Sequence, residues 1–182
     1  LLPIYRAATT LAGPAINLYL ERRLRRGKED PERLAERRGI GSRPRPDGVL
    51  LWLHAASVGE AVSSLTLIER LLQMNPSLTV LQTTGTVTSA RLMAERLPAR
   101  VIHQFVPVDR PGWVRRFMDH WRPDGGIWLE SELWPNLIDA AARRDIPMAM
   151  VNARMSQSSF ERWERFPRSA KDILGRFRLC LV

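Results

Sequence analysis

Val49-Leu50-Leu51-Trp52-Leu53-His54-Ala55-Ala56-Ser57-Val58-Gly59-Glu60 begins as an unbroken apolar run and ends in small residues at the threshold of a helical pattern. A short continuous run of this kind reads as a strand covered on both faces, and a parallel neighbour can be reached only through a long crossover. The stretch Ala61 to Met74 has the helical spacing for that crossover. Working outward, apolar runs recur at 78–81, 101–106, 126–129, 148–151 and 179–182. Between them, 87–97, 112–121, 133–143 and roughly 159–174 carry apolar residues at helical spacing. This alternation predicts an α/β fold: a parallel, doubly wound sheet of six strands with helices on both faces. Pro107, Pro123, Pro135 and Pro147 fall near element boundaries, where a missing N–H is tolerated.

The 182 residues, 45% of them hydrophobic, suffice for one core of ordinary domain size. The single cysteine, Cys180, excludes an internal disulfide framework and any multi-cysteine metal site. The formal charge of +9 is carried mostly by arginine, whose planar fork suits phosphate oxygens. Nucleic acid, anionic lipid and phosphorylated substrates are all partners of that chemistry. The excess is densest at the start, where Arg22, Arg23, Arg25 and Arg26 follow the mixed apolar stretch 1–20. Arg6, Pro14 and Asn17 interrupt that stretch, so it does not read as a membrane-spanning helix. An apolar segment followed by arginines suits an anionic membrane surface, and equally a solvated helix packed on its own domain. Residues 1–46 are therefore expected to form a basic, partly apolar, membrane-associated arm. The turn-rich 42–48 leads into the sheet domain, 47–182.

In open parallel sheets the functional cleft lies beyond the carboxyl ends of the strands. After the first strand, Glu60 stands near a helix start, where it can serve as a general base or simply complement the helix dipole. Gly59 permits close approach of a ligand to the backbone. His54 and Ser57 lack the G-x-S-x-G setting of a nucleophile. After the second strand, Thr84-Gly85-Thr86 offers hydroxyls that can cap a helix or meet phosphate or sugar oxygens, without the lysine of a P-loop. Asp109 is a candidate N-cap for the helix after the third strand. Glu130 and Glu132, two residues apart after the fourth strand, demand a compensating ligand, cation or arginine. Asn152 and Arg154, after the fifth strand, present donors to a polar ligand.

Four of these segments, His54 to Glu60, Thr84 to Thr86, Glu130-Ser131-Glu132-Leu133-Trp134-Pro135-Asn136 and Asn152-Ala153-Arg154-Met155-Ser156, resemble in sequence and order the motifs of 3-deoxy-D-manno-octulosonic acid (Kdo) transferases. The resemblance covers roughly residues 45–182, and the basic arm is similar to that family's N-terminus. It implies the N-terminal, Rossmann-like half of a GT-B glycosyltransferase, in which Kdo passes from CMP-Kdo to a phosphorylated glucosamine disaccharide, the lipid A precursor. The family acts in lipopolysaccharide biosynthesis at the cytoplasmic face of the Gram-negative inner membrane. By the same resemblance Glu60 is the base, with Glu130 a second catalytic residue. Ser57, Gly59, Thr84, Gly85, Thr86, Glu132, Asn152 and Arg154 are expected to contact substrate. No cofactor or metal is expected, consistent with the lack of a D-x-D motif. The C-terminal, donor-binding domain of such enzymes is expected to be absent from these 182 residues, leaving the isolated chain inactive. Alternatives are another GT-B transferase or nucleotide-sugar epimerase domain, and a basic nucleic-acid-binding module without a recognised motif.

Overall fold

The structure, a computed structural model, describes residues 2–129, 133–154 and 157–182, and all their side chains except those of Ser158 and Arg162. Six strands, β1 (Leu50–His54), β2 (Thr79–Thr84), β3 (Val101–Phe105), β4 (Gly125–Leu129), β5 (Met148–Val151) and β6 (Leu179–Cys180), form one sheet in the order β3-β2-β1-β4-β5-β6. Every pairing is parallel. From β1 the chain winds outward to β2 and β3, then crosses to the other side of β1 for β4, β5 and β6. The order thus reverses between β1 and β4, where ligands bind in doubly wound sheets.

Alternation along the strands divides the apolar residues between two cores. Leu53 and Val80 pack with Ala61, Ile68 and Leu72 of α3 (Val58–Met74) and Met93 of α4 (Val87–Arg96). Leu50, Trp52, Leu81 and Trp128 pack on the opposite face. There they meet Phe117 and Trp121 of α5 (Pro111–Trp121) and Leu137 and Ile138 of α6 (Pro135–Ala142). Trp52 lies edge-on to Trp128 with ring centroids 5.4 Å apart. Gly126, beside Trp52 in the sheet, makes way for Met148: a Cβ there would lie 3.2 Å from Met148 Cγ and in ordinary contact, 3.7 Å, with Trp52 Cε3.

Three elements differ from the pattern expected of the sequence. The helix over 159–174 is two helices, α7 (Gln157–Glu164) and α8 (Pro167–Leu174). Pro167 occupies the first turn of α8, where its missing N–H is harmless; inside one long helix it would break the hydrogen-bond ladder. The first crossover helix starts at Val58, ahead of Ala61, because Ser57 caps it by accepting from Glu60 N. Asp109 does not cap α5. Its carboxylate accepts from the backbone N–H groups of Asn136 at 3.0 Å and Leu137 at 2.8 Å, capping α6 across the fold.

Before the sheet come α1 (Leu2–Leu11), α2 (Gly13–Arg25) and a 3-10 turn, Glu36–Arg38. Both α1 and the turn dock on the domain. Tyr5 donates to Asp109 at 3.0 Å, Arg6 pairs with the buried Asp139 at 3.3 Å, and Glu36 accepts from Phe105 N at 2.7 Å. Among the described residues no helix is long and apolar enough to cross a membrane.

Candidate functional site

The carboxyl ends of β1 and β2 bring six of the expected residues together. Ser57 and Glu60 form a variant of the capping box: Ser57 Oγ accepts from Glu60 N at 3.2 Å, and Glu60 Oε2 turns back to accept from Ala56 N at 2.7 Å. The Glu60 side chain is thus held at the positive end of α3, in a residue only 5% exposed. Ser57 and Gly59 beside it are open to solvent. The helix-start role of Glu60 is therefore realised, in a geometry that also fixes a carboxylate at the mouth of the strand switch.

The β2–α4 loop is tied to this turn. Gly85 N donates to Ala56 O at 3.0 Å, so Ala56 is gripped at both its N–H and its carbonyl. A Cβ on Gly85 would lie 2.8 Å from Ala56 O, which is why the close approach of the two loops demands glycine. Thr86 caps α4 in a reciprocal capping box with Ser89, yet its residue is exposed. Thr84 is fully buried, and its hydroxyl faces His103 Nε2 at 2.9 Å, so its side chain supports the loop from beneath and cannot meet a ligand in this arrangement.

The histidines of the sheet are structural and neutral. His54 is wholly buried, lies tilted against Trp128 with ring centroids 4.3 Å apart and faces Thr83 Oγ1 through Nδ1 at 2.9 Å; burial pushes it down to about 3. It does not pair with Ser57, as the missing nucleophile motif led us to expect. His103 is also pushed down to about 3, by burial and then by the charges of Arg33 and Arg37. Arg33 Nη2 lies 2.9 Å from its Nδ1. A guanidinium can only donate, so Nδ1 accepts and Nε2 carries the proton toward Thr84.

Asn152 and Arg154 lie at the end of β5, separated from β1 by β4. Asn152 adopts a left-handed φ of 53°, turning the chain out of the strand, and Arg154 is exposed. No described bond joins either to the Glu60 cluster. Glu130 and Glu132, like Met155 and Ser156, lie outside the described residues. The sequence reading missed Arg37, which reaches the same cluster from before the sheet and donates to Gly85 O. A single buried arginine in a basic segment carries no local signal.

The family model described as 3-deoxy-D-manno-octulosonic-acid transferase (kdotransferase) matches residues 32–182. A probable mitochondrial 3-deoxy-D-manno-octulosonic acid transferase of Arabidopsis thaliana is 44% identical over 160 residues, covering 88% of this chain and 36% of that protein. A 3-deoxy-D-manno-octulosonic acid transferase of Rickettsia bellii is 41% identical, covering 79% and 34% respectively. One from Haemophilus influenzae is 38% identical, covering 72% and 31%. The chain thus spans about a third of the length of these relatives.

Proposed function

This chain belongs to the 3-deoxy-D-manno-octulosonic acid transferase family, and from that premise we propose that it is the acceptor-side domain of an inverting GT-B enzyme that transfers Kdo from CMP-Kdo to a lipid A precursor. The observation that carries this reading is Glu60: a carboxylate at the strand switch, oriented by a backbone N–H and bordered by the exposed Ser57 and Gly59. In the proposed reaction Glu60 takes the proton of the acceptor hydroxyl. The hydroxyl oxygen attacks the anomeric carbon of Kdo in line, and the bond to CMP breaks on the opposite face. Glu130 is the second catalytic candidate. Glu132, Thr86, Asn152 and Arg154, with the Gly85 backbone, are the proposed polar surroundings of the substrates; Thr84 acts through the loop it supports. The donor nucleotide is held mainly by a C-terminal domain lying beyond these residues, and neither cofactor nor metal enters the proposed chemistry.

The N-terminal helices support a membrane-surface location. Ile4, Leu11 and Leu18, spaced by seven, are exposed by 68%, 81% and 62% along α1 and α2, and the exposed Arg22, Arg25 and Arg26 follow. An apolar stripe ending in arginines lies naturally on anionic lipid. We assign that surface to the cytoplasmic face of the inner membrane, in lipopolysaccharide biosynthesis.

Titration of the chain with a soluble phosphorylated glucosamine disaccharide and, separately, with CMP tests the assignment. Acceptor binding that weakens in Arg154→Ala, with little CMP binding, is the expected result. Tight CMP binding without acceptor affinity would invert it.

A further inference from the structure

Arg37 lies outside the four motifs, yet its buried guanidinium is the anchor of a continuous hydrogen-bonded line that ends on Glu60. Its Nε donates to Glu29 Oε2 at 2.9 Å, Nη1 to Val106 O at 3.2 Å and Nη2 to Gly85 O. Gly85 N then donates to Ala56 O, and Ala56 N to Glu60 Oε2. Gly85 and Ala56 are each hydrogen-bonded through both their N–H and their carbonyl, so every link of the line is held on both sides. The anchor itself is braced. Phe105 lies against both Arg33 and Arg37, with guanidinium carbons 4.7 and 4.6 Å from its ring centroid. Val108 N donates to Arg37 O at 2.9 Å. Arg23 meets the other oxygen of Glu29, Oε1, at 2.7 Å and takes no part in the line.

We propose that Arg37 is a positioning residue for Glu60: it fixes Gly85, Gly85 fixes Ala56, and the Ala56 N–H fixes the carboxylate. The inference rests on the reading of Glu60 as the base. It gives the segment before the sheet a part in the chemistry, since the 3-10 turn carrying Arg37 orients a group it never touches. Lysine cannot replace this arginine, because a single ammonium cannot present three donors in one plane to three fixed acceptors.

The test compares Arg37→Lys with Arg23→Gln, which loses an ion pair to the same Glu29 but leaves the Gly85 link intact. In the full-length protein, Arg37→Lys is expected to lower kcat about tenfold with KM within about twofold, an effect on the reacting geometry alone. Arg23→Gln is expected to stay within about twofold in both. In this chain, amide exchange followed by NMR is expected to quicken at Ala56 and Gly85 in Arg37→Lys and to stay unchanged at Leu81 in the same sheet. Glu29→Gln, a milder change that loosens Arg37 without removing it, should shift the same two amides in the same direction. Unchanged exchange at both amides in either folded variant, an unchanged kcat in Arg37→Lys, or an equal kcat loss in Arg23→Gln would overturn the proposal. Retention of transfer by Glu60→Gln would instead remove the base reading while leaving the amide result intact.

Discussion

At the strand ends Ser57 Oγ accepts from Glu60 N, and the Thr84 hydroxyl faces His103 Nε2, so each side chain holds the loop it belongs to. Glu60 follows Ser57 by three residues, the spacing of a capping box; the Ser57 half of the box forms, while the Glu60 carboxylate accepts from Ala56 N, one residue before the cap. That Thr84 is turned inward to His103 was not legible, because only the pairing of β2 with β3 brings the two together. Thr83 is a case of the same kind: fully buried, it meets both Trp52 Nε1 and His54 Nδ1 at 2.9 Å. Thr83→Val fills the same space and removes the hydroxyl that both nitrogens face. It should destabilise the fold by about 1–3 kcal/mol, measurable by urea denaturation.

Among the elements, those with an uninterrupted local pattern were legible and those defined by distant partners were not. The strands fall close to the apolar runs, since a strand buried on both faces must be apolar throughout. The edge strand β6 is shorter than its run, stopping at Cys180. The break between α7 and α8 was written in Pro167 but hidden by helical spacing on either side. The start of α6 was legible from Pro135 but its cap was not, because Asp109 comes from the loop before α5 and is pinned by Tyr5 of α1. Asp109→Ala is therefore expected to lower stability by about 1–3 kcal/mol and to loosen α1, read as faster amide exchange in both α1 and α6. Phe117 of α5, fully buried against Trp52 at 5.4 Å between centroids, should cost about 3–5 kcal/mol as Phe117→Ala in the same denaturation experiment.

For the molecule as a whole, buried titrating groups set the response to acid. His54 and His103 take up protons at about 3 in the folded state against 6.5 when unfolded, so the unfolded chain is protonated first. Their contribution to stability is complete above pH 6.5 and is lost steadily as pH falls from there toward 3. Asp109 works in the opposite sense: burial raises it from 3.8 to about 6, so protonation favours the folded chain between pH 6 and 4. Two histidines outweigh one aspartate, and stability should fall by roughly 2–3 kcal/mol between pH 7 and 5. His103→Gln should flatten that slope in denaturation curves taken across this range. At Glu60, glutamine keeps an oxygen to accept from Ala56 N and removes only the proton acceptor. Kdo transfer by full-length Glu60→Gln is the decisive measurement. A loss of at least about 100-fold in kcat is expected, with melting temperature and acceptor affinity unchanged; transfer within a few-fold of the unmodified protein would rule out Glu60 as the base.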